Sequence, residues 1–169
     1  MKNILITGAT GFIGRALTSH LIKDGHRVIA LSRNLEKAKA ILPPDTVVMQ
    51  WDGKTVGIWK DVLEECEVVI NLAGENIGAR LWSEEFKKRI LSSRVDAGQV
   101  ISEAILATNN KPQVLLQASA TGYYGSRGEE TLTEPSPAGE GFMAEVVKQW
   151  EDSVKTEKNT STRVVYLRT

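Results

Sequence analysis

One stretch constrains the fold of this chain more than any other, the run KNILITGATGFIGRAL at residues 2–17. A short apolar segment is followed by glycines at positions 8, 11 and 14, and a helical pattern begins at residue 12. Glycines in this place permit a tight turn, let backbone approach a pyrophosphate and let the helix pack closely on the sheet. The helix N-terminus adds free N–H groups for the phosphates. Gly8, Gly11 and Gly14 therefore predict a dinucleotide-binding strand–helix unit.

Apolar runs and helical patterns alternate along the rest of the chain. Strands are predicted at residues 3–7, 27–32, 46–51, 67–74, 113–119 and 162–168, and helices at 12–25, 35–42, 60–63, 83–108 and 142–157. In the first helix, the pattern places Phe12, Leu17 and Leu21 on one face. The strands are short and apolar on both faces, which is typical of a parallel sheet covered by helices on both sides. We therefore predict an α/β fold with a doubly wound parallel sheet, the Rossmann fold.

The second half of the chain carries two further signals. Residues 120–140 are rich in Gly, Ser, Thr, Glu and Pro and are predicted to form a long loop, and loops of this length are usually functional. The last predicted strand leads directly to Thr169, whereas domain boundaries normally fall in exposed linkers. We therefore expect residues 1–169 to be one Rossmann domain of a longer chain, whose C-terminal substrate region is absent.

Charge and cysteine content exclude several function classes. Lys plus Arg and Asp plus Glu are equal at 21 each, which argues against a nucleic-acid partner. No apolar run approaches the roughly 20 residues of a membrane span. The one cysteine, Cys66, permits no internal disulfide, as expected for a cytoplasmic protein, and is predicted to be a core residue. Because His20 and His26 form no ligand pattern with Cys66, we predict no metal.

The end of the second predicted strand indicates which dinucleotide is bound. NAD-preferring proteins place an Asp or Glu about 20 residues after the glycines, where it accepts a hydrogen bond from the ribose 2′-OH. Here the segment reads LSRN, so that Ser32 and Arg33 occupy this place and no acid does. An arginine can bind a 2′-phosphate with two hydrogen bonds. We therefore predict that NADP(H) is preferred over NAD(H); a solvated Arg33 in an ordinary loop is the alternative.

Four segments in the order TGATGFIG, NLAGENI, SRV and TGYYG resemble the short-chain dehydrogenase/reductase superfamily. The resemblance covers the whole chain and is greatest to the extended or atypical branch, the nucleoside-diphosphate-sugar epimerase-like proteins. Members of this subgroup are often described only as epimerase family or cell division inhibitor-like proteins. The resemblance implies a Rossmann fold, an NAD(P) cofactor and a small-molecule substrate, with a sugar nucleotide as a candidate. The resemblance is also compatible with a homodimer.

The same resemblance assigns cofactor contacts beyond the glycines. The TGATGFIG segment adds Thr10, Phe12 and Ile13. The end of the fourth predicted strand would pack on the adenosine side of the cofactor through Leu72, Ala73 and Gly74. Asp52 resembles the acid that many relatives place near the adenine. Arg94, on the long helix, could face the cofactor or be an ordinary surface arginine.

The catalytic pattern of the superfamily is only partly present. Its enzymes use a Ser or Thr, a Tyr, and a Lys four residues after the Tyr, because a nearby ammonium favours the phenolate. Ser119 matches the first role, and Tyr124 resembles the family's Tyr-Gly step. In the helix GFMAEVVKQWE, however, Phe142 and Val146 stand where the Tyr and Lys are expected, and neither can exchange a proton.

Three interpretations remain open for the missing pair. Tyr123 or Tyr124 could replace the absent Tyr, the reaction could need no such base, or the protein could bind cofactor without turnover. The sequence therefore predicts an NADP(H)-binding oxidoreductase or nucleoside-diphosphate-sugar epimerase-like protein. The alternative is a non-catalytic NADP(H)-binding sensor or regulatory protein.

Overall fold

Six short apolar stretches form one parallel sheet. The structure, a computed structural model, describes residues 1–154 and 161–169. The strands are β1 (Asn3–Thr7), β2 (Arg27–Ser32), β3 (Val47–Gln50), β4 (Val68–Asn71), β5 (Val114–Ser119) and β6 (Arg163–Arg168). The helices are α1 (Phe12–Lys23), α2 (Leu35–Ile41), α3 (Trp59–Leu63), α4 (Glu84–Ala107) and α5 (Phe142–Asp152), with a 3-10 helix at Thr121–Tyr124.

The strand order is β3-β2-β1-β4-β5-β6. The chain first builds outward from β1 through β2 to β3, then crosses back so that β4 pairs with the other edge of β1. This reversal creates a crevice at the carboxyl ends of β1 and β4, where open α/β sheets bind their ligands. The predicted doubly wound Rossmann fold is confirmed.

Hydrophobic clusters cover both faces of the sheet. Successive β1 residues alternate between them, because neighbouring strand side chains point to opposite faces. Leu5 packs with Ile101 of α4 on one face, and Ile4 and Ile6 pack with Ala38 of α2 on the other. β1, β2, β4 and β5 contribute residues to both clusters, so that these strands are held between two helical layers. This fixes the positions of the loops at their carboxyl ends.

Several predicted boundaries and one predicted face were wrong. β4 ends at Asn71, so residues 72–74 leave the sheet as loop. α5 ends at Asp152, and the last part of the predicted helix, residues 155–157, lies outside the described residues. Phe12 is 88% exposed and does not share a buried face with Leu17 and Leu21. The reason is its place at the first position of α1, next to the crevice rather than over the sheet.

Cys66 lies in the core as predicted, with 2% of its surface exposed. Burial raises the pKa of its thiol to about 12, so that the thiol is neutral at physiological pH. Among the helices of residues 1–154 and 161–169, none is long and apolar enough to cross a bilayer.

Candidate functional site

The turn from β1 into α1 is built by its glycines. Gly8 adopts a φ of 69°, in the left-handed region that favours glycine. A Cβ on Gly14 would overlap the carbonyl oxygen of Gly8 and the backbone of Ala9. Gly11 is the N-cap of α1; within the described chain no side chain caps it, and the first turn carries no acidic residue. The helix therefore presents unoccupied N–H groups and a positive dipole end to the crevice.

Two adjoining clefts open at the carboxyl ends of the strands. The first has a volume of about 420 Å³ and the second about 460 Å³. Every predicted cofactor contact lines one of them. The first cleft is lined by Gly8, Thr10, Gly11, Ser32, Arg33, Asp52, Leu72, Ala73 and Gly74. The second is lined by Phe12, Ile13, Gly14 and Arg94, and it shares Gly8, Gly11 and Leu72 with the first.

Two exposed cationic side chains line the first cleft near the carboxyl end of β2. Arg33 follows β2 directly, and Lys37 lies one turn into α2. Asn34 caps this helix, since its side chain accepts a hydrogen bond of 2.9 Å from the Lys37 N–H. Neither cation forms an ion pair within the described residues. Lys37 was missed by the sequence analysis, although its position four residues after Arg33 on a capped helix is a usable signal.

Asp52 lines the first cleft, but its carboxylate is engaged in its own turn. One oxygen accepts hydrogen bonds of 2.8 Å from the N–H groups of Lys54 and Thr55, and the other accepts one of 2.8 Å from the Thr55 hydroxyl. These hydrogen bonds, the one from the Lys54 N–H first, lower the pKa of the Asp52 carboxyl. The side chain therefore shapes the loop that forms one wall of the cleft.

Arg94 lies on α4 and is half-buried, between the loop that follows β4 and Trp150 of α5. Its Nη1 donates to the carbonyl oxygens of Glu75 and Ile90 at 3.1 and 3.0 Å, and its guanidinium lies 5.0 Å from the ring centre of Trp150. Burial lowers the pKa of this guanidinium, against the opposing effect of Glu75. A Cβ on Gly74 would come within 3.1 Å of it. The alternative of an ordinary surface arginine is therefore wrong.

A chain of buried hydrogen bonds joins three strands beneath the clefts. Thr7, Asn71 and Gln117 occupy matching positions near the carboxyl ends of β1, β4 and β5. The Thr7 hydroxyl donates to Asn71 Oδ1 at 2.6 Å, and Asn71 Nδ2 donates to Gln117 Oε1 at 2.7 Å. Asn71 Oδ1 also accepts from the Ala73 N–H at 3.2 Å. This polar ladder fixes the loop at residues 72–74 to the sheet.

Ser119 lines the second cleft and is hydrogen-bonded to Glu151, the acidic member of an ion pair with Arg168. Its hydroxyl donates to Glu151 Oε1 at 2.5 Å. Glu151 is held in turn by two hydrogen bonds of 2.8 Å from Arg168. Because the Ser119 proton is directed at Glu151, its oxygen has only lone pairs to offer other partners. The sequence analysis missed Glu151 and Arg168.

Tyr124 is not brought to either cleft. It is buried, and its hydroxyl accepts a hydrogen bond of 2.8 Å from Arg168 Nη1. Tyr123 packs edge-on against it, with Arg168 3.7 Å from the Tyr123 ring centre. Both tyrosines therefore pack around Arg168, which also holds the Glu151 that Ser119 contacts, but neither tyrosine lines the second cleft.

The helix expected to carry the Tyr and Lys presents a different pair to the cleft. Phe142 and Val146 pack with Phe86 and Ile90 of α4 and line neither cleft. Met143 and Val147, one residue along, line the second cleft. Positions 142 and 146, where the Tyr and Lys were expected, therefore do not face the clefts, and a step of one residue, which rotates a helix by about 100°, separates them from the two that do. Neither cleft-lining side chain can exchange a proton.

Comparison with known proteins agrees with this geometry. The NAD dependent epimerase/dehydratase family model matches residues 4–168. An Arabidopsis thaliana relative, the chloroplastic epimerase family protein SDR39U1 homolog, is 37% identical over 174 residues, covering 98% of this chain and 47% of the relative. The chain spans about half the length of the curated relatives it matches.

Two solved structures share the fold. The crystal structure of human epimerase family protein SDR39U1 (isoform 2) with NADPH has a TM-score of 0.78 and 31% identity, over 98% of this chain and 52% of that one. The nucleoside-diphosphate sugar epimerase from Corynebacterium glutamicum has a TM-score of 0.79 and 33% identity, over 99% and 33%. Since the family model covers nearly the whole chain, this protein belongs to the NAD dependent epimerase/dehydratase family, with an NAD(P)-binding Rossmann fold.

Proposed function

We propose that this chain binds NADP(H) along the two clefts and contributes the cofactor half of an epimerase-like oxidoreductase. The observation that carries the proposal is the uncapped, acid-free N-terminus of α1, which shares a cleft with Arg33 and Lys37, two cations that form no ion pair among residues 1–154 and 161–169. A pyrophosphate suits the first feature and a 2′-phosphate suits the second. When bound, the cofactor supplies hydride transfer at its nicotinamide.

The preference for NADP(H) over NAD(H) rests on charge. No acidic side chain lies at the end of β2 to accept from a ribose 2′-OH, and in the described chain Arg33 and Lys37 are free of carboxylate partners. A 2′-phosphate would engage both cations with charge-assisted hydrogen bonds. The human relative bound to NADPH supports the same choice.

A sugar nucleotide is the substrate class we propose. The support is the Corynebacterium glutamicum relative, a nucleoside-diphosphate sugar epimerase. In this chain, Ser119 is the hydroxyl placed in the second cleft. Its lone pairs would accept a hydrogen bond from a substrate hydroxyl, because its own proton is held by Glu151. The family match supports this oxidoreductase class over a non-catalytic sensor.

Two further properties belong to the proposal. The single, buried Cys66 supports a reducing compartment such as the cytoplasm. A homodimer is compatible with the family resemblance, and sedimentation would test for it.

Calorimetric titration of the chain with NADPH and with NADH tests the proposal. We expect NADPH to bind at least about tenfold more tightly, since one charge-assisted pair is worth about 1.5–3 kcal/mol. Arg33→Ala should remove most of this difference, whereas Arg163→Ala, at the amino end of β6 and the opposite edge of the sheet, should retain it. Equal affinities in the unsubstituted chain would refute the NADP(H) preference, and no binding of either would refute the cofactor site.

A further inference from the structure

The second cleft holds one charged side chain. Among the residues that line it within the ranges 1–154 and 161–169, Arg94 is the only one whose side chain carries a charge. The other polar side chains there, those of Ser119, Trp150 and Thr169, are neutral. Because a guanidinium keeps its proton in proteins, Arg94 gives the cleft a fixed positive charge.

No carboxylate contacts the guanidinium of Arg94. It donates to the carbonyl oxygens of Glu75 and Ile90, and in the part of the chain that the structure describes it forms no ion pair. The Glu75 carboxylate acts on Arg94 from a distance, but its Oε2 is paired with Arg89 Nη2 at 3.1 Å. Glu75 and Arg89 together carry no net charge, so that the charge of Arg94 is not cancelled.

The acid next to Ser119 is paired as well. Glu151 accepts two hydrogen bonds of 2.8 Å from Arg168, and this pair is also neutral overall. The uncapped N-terminus of α1 adds the positive end of a helix dipole beside the cleft. A half-buried charge is screened less than one in water. The electrostatic potential in the second cleft is therefore positive, and Arg94 is its main source.

The proposed course of the cofactor brings its nicotinamide into this cleft. Arg33 and Lys37 would hold the 2′-phosphate in the first cleft, and the N-terminus of α1 would hold the pyrophosphate. Gly8 and Gly11, at that N-terminus, line both clefts. The half of the cofactor that lies beyond the pyrophosphate therefore enters the second cleft, which Arg94 lines.

We propose that Arg94 makes the chain distinguish the redox states of its cofactor, so that NADPH binds more tightly than NADP⁺. The inference rests on the proposed function, since it concerns the nicotinamide end of the same ligand. The nicotinamide ring is positively charged in NADP⁺ and neutral in NADPH, whereas the adenosine, the pyrophosphate and the 2′-phosphate are the same in both. Repulsion from Arg94 therefore acts on the oxidised form alone. Such a site fills with reduced cofactor in preference to oxidised cofactor.

Calorimetric titration with NADPH and with NADP⁺ tests the inference. We expect the unsubstituted chain to bind NADPH at least about fivefold more tightly, because two like charges share one half-buried cleft. A fivefold preference places the midpoint potential of the bound couple about 20 mV above that of the free couple. A contact from Arg94 to the pyrophosphate would strengthen both forms equally, so that the ratio of the two dissociation constants isolates the effect on the ring.

Two substitutions separate the charge of Arg94 from its bulk. Arg94→Met keeps a long side chain without the charge and should bring the ratio to within about twofold, whereas Arg94→Lys keeps the charge and should retain most of the preference. Lys88→Met is the matched control, since Lys88 is an exposed cation on the same helix that lines neither cleft. Thr169 also lines the second cleft, but its terminal carboxylate is the same in every variant and cancels from the comparison.

The outcomes distinguish this inference from the proposed function. A ratio near one in the unsubstituted chain would overturn the inference and leave the cofactor site intact. So would an Arg94→Met variant that loses affinity for both forms equally, because Arg94 would then hold a part of the cofactor that both forms share. Failure of the unsubstituted chain to bind either form would refute both the proposed function and the inference. Circular dichroism verifies folding, and Arg94→Gln repeats the test if Arg94→Met is poorly folded.

Discussion

At the scale of single residues, Gly14 leaves no room for a side chain. It lies within the first turn of α1, where its Cα faces the Gly8 carbonyl oxygen and the Ala9 backbone, and neither can move without displacing the turn. Close approach of this kind is what allows the helix to lie against the sheet beside the clefts. The glycine spacing is therefore required by packing as well as by any phosphate.

Gly14→Ala should destabilise the protein by about 1–3 kcal/mol, the usual cost of forcing an extra methyl group into a packed site. It should also weaken NADPH binding, because the N-terminus of α1 must shift. Urea unfolding and calorimetry measure the two effects. Gly57→Ala is the control, since its Cβ would meet Trp59 Cδ1 at 3.5 Å and Trp59 Nε1 at 3.8 Å, which are ordinary van der Waals distances. An unchanged unfolding midpoint in Gly14→Ala would contradict the packing argument.

At the scale of secondary-structure elements, the Thr7–Asn71–Gln117 ladder joins β1, β4 and β5 where the two clefts meet. All three side chains are fully buried, and each uses the next as a partner. Buried polar groups of this kind are stabilising only while they are paired. The ladder thus cross-links β1, β4 and β5 by side-chain hydrogen bonds at the carboxyl edge of the sheet, where apolar packing alone would otherwise hold them.

Asn71→Ala removes the central member and leaves the Thr7 hydroxyl and the Gln117 side-chain carbonyl without this partner. Since an unsatisfied buried group costs about 1–3 kcal/mol, we expect a loss of about 3 kcal/mol in the free energy of unfolding. Denaturant unfolding measures it. Asn76→Ala, in the exposed loop after β4, should change stability by less than about 0.5 kcal/mol. Equal effects of the two changes would show that the ladder contributes nothing.

At the scale of the whole molecule, the clefts are lined by residues at or directly after the carboxyl ends of all six strands and by residues of α1, α2, α4 and α5. A ligand that fills them would bind the folded chain and have no site in the unfolded one. Its binding free energy is then added to the stability of the entire domain.

NADPH at about one hundred times its dissociation constant should stabilise the fold by about 2.7 kcal/mol. For a chain of this size, the melting temperature should rise by about 5–10 °C. NADH at the same concentration should raise it less, because it has no 2′-phosphate for Arg33 and Lys37. Thermal unfolding followed by circular dichroism measures both shifts. If NADPH left the melting temperature unchanged, the result would contradict a single cofactor site that spans the sheet.

Local sequence patterns were sufficient to predict the kind and order of the elements. Buried strands, the glycine turn and the start of α4 depend on residues within a few positions of one another. Ser83 caps α4 by accepting a hydrogen bond from the Phe86 N–H, and Glu84 and Glu85 follow in the first turn, so that the start of this helix is set by four neighbouring residues. The family resemblance could also be found from local segments, because TGATGFIG and TGYYG are each an uninterrupted run of residues.

Which side chains act together depends instead on contacts between distant parts of the chain. Ser119 is 32 residues from Glu151 in sequence, yet their oxygens are 2.5 Å apart. The rotation of α5 brings Met143 and Val147 to the cleft in place of Phe142 and Val146. The physical reason is that contacts between distant residues depend on strand register and helix rotation. Both are settled by packing over the whole core, which no local pattern of residues records.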